Sequence, residues 1–258
     1  MKVGFIQTNP EFGRVKENTN NIIEKLKEID ADLIVLPELF NIGYNFKDKE
    51  ELLNYAETAN GETAIALQRV AREKDICIVA GIAEKDENKD IVYNSAIMVT
   101  KDKINVYRKT HLFDNEKKIF EPGNTGFNVF GYKNAKIGMM ICFDWVFPEA
   151  ARTLALKNCD IIAHPANLVL SYCPETMKTR AIENGVFTIT CNRFGKEKGL
   201  DFIGMSQITD TKGNILYRAS EDKEEIKVVE INIEEARSKS MTKNNHLFED
   251  RRTEMYEL

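Results

Sequence analysis

The stretch Ile137-Gly138-Met139-Met140-Ile141-Cys142-Phe143-Asp144-Trp145-Val146-Phe147-Pro148-Glu149 is the one on which the fold turns. Its first part is an apolar run ending at Cys142, and the spacing predicts a strand over Lys136 to Ile141. Phe143-Asp144-Trp145 then turns the chain, and Pro148 suits the first turn of a helix running to about Asn158, because its missing N–H is not needed there. A strand that bends directly into a helix is the repeating unit of an α/β fold.

The same alternation extends in both directions. Val3 to Thr8 reads as a buried strand, Ile22, Ile23, Leu26 and Ile29 recur at helical spacing, and Leu33-Ile34-Val35-Leu36 is a second strand ended by Pro37. After a polar loop from Asn41 to about Glu50, Ala64, Leu67, Val70 and Ala71 mark a helix face and Ile76 to Ala83 a third strand. Ile91 to Thr100 and Lys103 to Tyr107 form a hairpin around Lys101-Asp102, with Tyr93-Asn94-Ser95 breaking the apolar pattern. Phe127 to Phe130 is a strand separated from Lys136 by Gly131-Tyr132-Lys133-Asn134. Asp160 to Ala163 and Val186 to Cys191 are strands flanking a helix over Glu175 to Asn184. Strands at Ile203 to Asp210, Asn214 to Arg218 and Glu225 to Ile231 follow, with a turn at Lys212-Gly213. A short helix over Ile233 to Ser238 precedes a polar tail. No repeat or Pro/Gly/Ser linker signposts a boundary, so the reading is one catalytic domain over 1–238 and a tail over 239–258.

Composition narrows the function. The chain has 258 residues, enough for a substantial core. Its 36 Lys+Arg against 41 Asp+Glu give a formal charge of −5, which lacks the basic footprint of a nucleic-acid binder. No run reaches the length of a membrane span, and Gln7-Thr8-Asn9-Pro10 cuts short any signal-peptide core, so a cytoplasmic protein is expected. The five cysteines form no CxxC pair and are odd in number, which argues against a disulfide framework or a zinc ribbon. There is no GxGxxG, Tyr132 stands where a P-loop needs Lys, and His111, His164 and His246 are scattered, so nothing supports a phosphate loop or a metal site.

Among the thiols, Cys77, Cys159 and Cys191 lie in or beside apolar strands and read as small buried hydrophobes, while Cys173 falls in a Ser-Tyr-Cys-Pro loop. Cys142 differs, because a residue at a strand-to-helix elbow projects from the sheet edge beside backbone N–H groups able to hold an oxyanion. A thiol needs a base or a cation to act as a nucleophile at neutral pH. Glu38 directly follows the strand that ends in Leu36-Pro37, and Lys109 follows Ile104 to Tyr107; each also reads as a surface charge when taken alone.

Taken together, Leu36-Pro37-Glu38, Tyr107-Arg108-Lys109-Thr110-His111-Leu112-Phe113 and Ile141-Cys142-Phe143-Asp144-Trp145 resemble the nitrilase superfamily of carbon–nitrogen hydrolases, whose catalytic set is Glu, Lys and Cys in that order. Asn94-Ser95-Ala96, Glu121-Pro122-Gly123, His164-Pro165-Ala166-Asn167, Arg180-Ala181-Ile182-Glu183-Asn184 and Asp250-Arg251-Arg252 extend the resemblance along the whole chain. It implies a four-layer α-β-β-α sandwich, a Cys142 nucleophile, a Glu38 general base, and an oxyanion held by Lys109 and the N–H of Phe143. The family's second glutamate, which positions the lysine and substrate, is matched by Glu116, though a surface charge in Asp114-Asn115-Glu116-Lys117-Lys118 is the competing reading. Phe143, Trp145 and Asn167 would line the pocket. No cofactor is implied, and family members commonly pair so that sheets stack across a dimer, with the tail reaching the partner.

Asp144 resembles the amidase and carbamoylase branches more than typical nitrilases, so the expected substrate is a small amide. A small aliphatic nitrile, hydrolysed through a thioimidate, and an N-carbamoyl amine or amino acid are the alternatives. No arginine suggests itself for a substrate carboxylate. Two readings from other classes compete: a papain-like hydrolase pairing Cys142 with His111 or His164, and a non-catalytic binding protein in which Cys142 is inert.

Overall fold

The computed structural model describes residues 1–256. Its strands are β1 (Lys2–Gln7), β2 (Leu33–Val35), β3 (Cys77–Lys85), β4 (Val92–Val99), β5 (Ile104–Arg108), β6 (Val129–Tyr132), β7 (Ala135–Met139), β8 (Ile161–Pro165), β9 (Phe187–Cys191), β10 (Phe194–Glu197), β11 (Leu200–Ile203), β12 (Gln207–Thr209), β13 (Ile215–Arg218), β14 (Glu225–Glu230) and, paired in the tail, β15 (Ser240–Thr242) and β16 (Asn245–His246). The helices are α1 (Val15–Glu28), α2 (Lys49–Leu53), α3 (Glu62–Lys74), α4 (Glu116–Ile119), α5 (Pro148–Leu156), α6 (Tyr172–Asn184) and α7 (Glu234–Arg237).

Two six-stranded sheets run in the orders β14-β1-β2-β3-β4-β5 and β13-β12-β9-β8-β7-β6. In each, three central strands are parallel (β1, β2, β3 and β7, β8, β9) and antiparallel strands close both sides. The central strands are apolar on both faces because both are covered. Along β3, Cys77 and Val79 join Val35, Ile137, Met139, Ile161 and Ala163 in the core between the sheets, while Ile78 and Ala80 face outward onto Leu26 of α1 and Leu67 and Ala71 of α3. Helices α5 and α6 cover the other sheet through Leu154 and Met177. The order of layers is therefore α-β-β-α, as the resemblance implied.

Several local expectations are corrected. Within 41–50 the loop gives way to α2 at Lys49, capped by Asp48, whose side chain accepts from Glu51 N at 2.9 Å. The turn before β7 is only Lys133-Asn134, and Gly131 and Tyr132 pair with Lys136 and Ala135. Helix α6 begins at Tyr172, before Pro174, because proline is tolerated in a helix's first turn; Cys173 is thus a buried helix residue and not a loop residue. The strand expected over Ile203 to Asp210 is broken at Gly204 and Met205, both left-handed, so that Ile203 ends the β10–β11 hairpin and Gln207 starts β12. Within the tail, the Lys239 ammonium donates to the carbonyls of Asn184 and Gly185 at the end of α6 (3.0 and 2.7 Å), and Phe248 packs on the main core.

Candidate active site

Glu38, Lys109, Cys142 and Asn167 all lie just beyond the carboxyl ends of strands. β5 lies two reversals from β3 and runs in the same direction, so Lys109 emerges on the same edge as Glu38 after β2, Cys142 after β7 and Asn167 after β8. That edge is the usual ligand site of such sheets. Two glycines let the backbones close up there. A Cβ on Gly81 would stand 2.4 Å from the Glu38 Cα, and one on Gly123 would stand 2.0 Å from the Arg108 carbonyl oxygen, next to Lys109.

The charged groups form one buried cluster. Lys109 Nζ donates to Glu38 Oε1 at 2.7 Å and to Glu116 Oε1 at 2.8 Å. The Lys109 and Glu38 side chains have no exposed surface, and Glu116 keeps 4%. Asn94 Nδ2 donates to Glu38 Oε1 at 2.6 Å, whereas Glu38 Oε2 is buried with no hydrogen-bond partner among the described residues. The Tyr44 hydroxyl donates to Glu116 Oε1 at 2.7 Å and the Phe113 N–H to Glu116 Oε2 at 2.9 Å. Burial raises the Glu38 pKa above the ordinary carboxylate value, against the pull of the Lys109 ammonium. Burial pulls Lys109 down, but Glu116 and Glu38 outweigh it, so the lysine is held more firmly protonated than usual.

Cys142 occupies the elbow in a left-handed conformation, φ 38°, which a residue with a Cβ adopts at a cost. Asp144, fully buried, holds that turn: its Oδ2 accepts from Ile141 N at 2.9 Å and from the Tyr107 hydroxyl at 2.7 Å, and its Oδ1 accepts from the His111 backbone N–H at 3.2 Å. His164 Nε2 lies 2.9 Å from the Cys142 carbonyl oxygen. A carbonyl can only accept, so Nε2 carries the proton and Nδ1 accepts from Thr190 Oγ1 at 3.1 Å. Burial lowers the His164 pKa to about 4, so the ring is neutral at pH 7. His111 is stacked on Phe147 with centroids 3.7 Å apart, its Nδ1 on Asp144. Among the described residues the only hydrogen-bond contact of Cys142 Sγ is to the Asn167 carbonyl oxygen, at 3.9 Å. Neither histidine bonds the sulfur, contrary to the papain-like reading. Burial, and after it the Glu38 charge, push the Cys142 thiol well above its ordinary pKa, against Lys109.

Cys142 opens on a small cleft lined by Phe113, Phe143, Trp145, Asn167 and the segment 168–170. Asn167 ties the halves together, its Nδ2 donating to the Glu38 carbonyl at 2.8 Å. Of the residues expected at the site, Cys142, Phe143, Trp145 and Asn167 line this cleft, while Glu38, Lys109 and Glu116 form the buried charged cluster whose charges act on the thiol; Glu116 is buried and not a surface charge. Sequence reasoning gave no role to Asn94 or Tyr44, and gave His164 one only as a papain-like base, not as the donor to the Cys142 carbonyl. Asn94 had left a trace, a polar residue inside an apolar strand; Tyr44 had left none, since its partner Glu116 is 72 positions away. No group of three or more His, Cys, Asp or Glu among the described residues is placed to hold a metal ion, and no helix is long and apolar enough to cross a membrane.

A two-sheet sandwich carrying a buried Glu-Lys pair beside an elbow cysteine defines a class of thiol hydrolase. Residues 2–240 match the carbon-nitrogen hydrolase family, and the chain belongs to it. It is 49% identical over 261 residues to a nitrilase of Pyrococcus abyssi, covering 99% of both chains. It is 31% identical over 245 residues to an (R)-stereoselective amidase of a Pseudomonas species, covering 92% of this chain and 87% of that one. The structure superposes on a carbon-nitrogen hydrolase of Helicobacter pylori G27 with a TM-score of 0.83 and 29% identity, covering 92% and 91% of the two chains.

Proposed function

We propose that the protein hydrolyses a small amide to a carboxylic acid and ammonia through a thioester on Cys142. The observation that carries this is the buried Lys109 ammonium bridging two carboxylates, one of which keeps an unpaired oxygen, beside a cysteine on a strained elbow. Because burial keeps the thiol protonated, its proton has to leave as the sulfur attacks, and Glu38 Oε2 accepts it. The carbonyl π electrons move to oxygen, which is held by Lys109 and the Phe143 N–H; one such donor is worth about 10²–10³ in rate. The C–N bond then breaks, Glu38 returns the proton to nitrogen, and ammonia leaves. Water gives its proton to Glu38 as it adds to the thioester, and the C–S bond breaks to release the acid and restore the thiol. Glu116 holds Lys109 in place. Phe143, Trp145 and Asn167 contact the substrate in a cleft whose size favours a small molecule.

A nitrile is the second reading, supported by the 49% identity to a protein named a nitrilase. Sulfur would add to the nitrile carbon to give a thioimidate, and two waters would be consumed before the acid leaves. An N-carbamoyl amine would use the same residues. We also read the chain as a cytoplasmic homodimer. Its five cysteines are unpaired, and Tyr172 and Ile182 on α6 and Met241 in the tail are exposed apolar groups suited to a partner. Residues 1–238 form the catalytic domain in this reading, and 239–258 the tail at the interface.

The test is ammonia release from a panel of small amides, nitriles and N-carbamoyl amines by wild type and Cys142→Ala, with intact mass to detect an acyl adduct. Amide turnover lost in Cys142→Ala is expected. Turnover that survives in Cys142→Ala would sink the mechanism.

A further inference from the structure

A buried ion pair lies beyond the groups that the proposed chemistry uses. Arg193, between β9 and β10, donates from Nη1 to Glu197 Oε2 at 2.6 Å, with side-chain exposures of 1% and 5%. Its Nη2 donates to Asn9 Oδ1 at 2.6 Å and its guanidinium lies 4.2 Å from the centre of the Phe202 ring. Replacing such a pair by apolar groups is often neutral or stabilising, so its presence asks for a reason other than stability.

The other oxygen of Glu197 supplies one. Glu197 Oε1 accepts from the backbone N–H groups of Tyr44 and Asn45, at 2.8 and 2.6 Å. Gly43, left-handed at φ 86°, passes so close that a Cβ there would stand 2.6 Å from Glu197 Oε2. The turn is thereby pinned in one place. The Tyr44 ring meets Phe202 edge-on at 5.9 Å, and its hydroxyl reaches Glu116 Oε1, the same oxygen that accepts from Lys109. The last torsion of a glutamate is broad, with no sharp wells to fix it. Without the Tyr44 hydroxyl the Glu116 carboxylate would be held only by Phe113 N on Oε2 and by the Lys109 ammonium itself, which lies 2.8 Å from both oxygens, so the carboxylate could swing and the ammonium would follow it.

We propose that Tyr44, seated by the Arg193–Glu197 pair, is a positioning residue that fixes the Glu116 carboxylate and thereby aims the Lys109 ammonium at the developing oxyanion. The proposal rests on the amide hydrolysis set out above. Because the lysine's charge is needed most where charge develops, its misplacement lowers kcat more than it raises KM.

Five proteins test it on one amide substrate: wild type, Cys142→Ala, Tyr44→Phe, Glu116→Gln and Tyr44→Phe/Glu116→Gln. Tyr44→Phe keeps the ring against Phe202 and removes only the donor. A hydrogen bond to a charged group is worth enough that kcat should fall about tenfold or more, with KM within about threefold. In the Glu116→Gln background the same change should cost little further. Should Tyr44→Phe fold poorly, ring-fluorinated tyrosine at position 44 keeps size and packing while strengthening the donor, and kcat should track phenol acidity. Unchanged kcat in Tyr44→Phe, a loss confined to KM, full additivity with Glu116→Gln, or indifference to fluorination would each overturn the proposal. Survival of turnover in Cys142→Ala would instead overturn the amide hydrolysis on which it stands.

Discussion

His164 makes the protein's stability depend on pH through a single group. Its pKa of about 4 in the folded chain, against 6.5 for a free imidazole, is set first by burial and then by competition between the Cys142 carbonyl, the Asp144 charge and the Lys109 charge. The sign follows from linkage. The unfolded chain binds the proton more readily, so the stability is fully present above pH 6.5 and is lost as pH falls towards 4. The shift of about 2.5 pKa units corresponds to about 3 kcal/mol, of which about 2 kcal/mol is already gone by pH 5. Carboxylates titrate in part of this window too, so the informative quantity is a difference. Wild type and His164→Gln should be unfolded in urea at half-unit steps from pH 7 to pH 4. Glutamine can still donate to the Cys142 carbonyl but takes up no proton, so its stability should fall less steeply, the two curves converging by about 3 kcal/mol over the range. Parallel curves would refute the argument. Wild-type activity should fail over the same interval once the elbow loosens, because the ring holds the carbonyl of Cys142 itself.

Asn94→Ala removes a 2.6 Å donor from Glu38 Oε1; since that bond favours the charged carboxylate, the Glu38 pKa should rise further and the acid limb of the kcat/KM profile should move to higher pH. Asp144→Asn leaves one oxygen to serve donors that now use two, so the free energy of unfolding should drop by about 2–4 kcal/mol in denaturant titration, with turnover falling as the elbow relaxes. Gly81→Ala drives a methyl group to 2.4 Å from the Glu38 Cα and should cost about 1–3 kcal/mol in stability together with activity, whereas the same change at exposed Gly131, where nothing lies within 4 Å, should leave activity intact.

How much of this was legible in the sequence depends on how each residue signals. The central strands were legible because both faces are buried, which leaves continuous apolar runs such as Ile76 to Ala83. The elbow was legible because Pro148 follows the run at a helix start. The β10–β11 hairpin was not, because Phe194-Gly195-Lys196-Glu197 and Leu200-Asp201-Phe202-Ile203 carry no period that separates them from a loop. Helix α2 rests on the Asp48 cap more than on an apolar face, and only Leu52 is buried there. Periodicity could place Glu38, Lys109 and Cys142 each beyond a strand, but not beside one another; their chain order, through the family resemblance, did that. Glu116 was ambiguous between a surface charge and a buried partner because its burial depends on Tyr44 and Phe113 closing over it, contacts that no local pattern records.

The need for two carboxylates around one lysine follows from charge conservation within a buried site. In the proposed mechanism Glu38 starts as the free base, so the Lys109 ammonium faces two carboxylates beside a neutral thiol and the cluster carries one net negative charge. In the proposed attack the thiol proton passes to Glu38 and a negative charge appears on the substrate oxygen beside Lys109, so the net charge is unchanged and has only moved across the cluster. A low-dielectric pocket tolerates that shift with little reorganisation, which is the condition under which fixed charges stabilise a transition state best. With one carboxylate the arrangement would fail at that moment. Once Glu38 is protonated, Lys109 would have no fixed anion left to hold it in place, and it could pass its own proton to the oxygen or turn away. In the proposed mechanism Glu116, held by Tyr44 and Phe113, takes no part in the proton transfer and so would keep the ammonium charged and in place throughout the step.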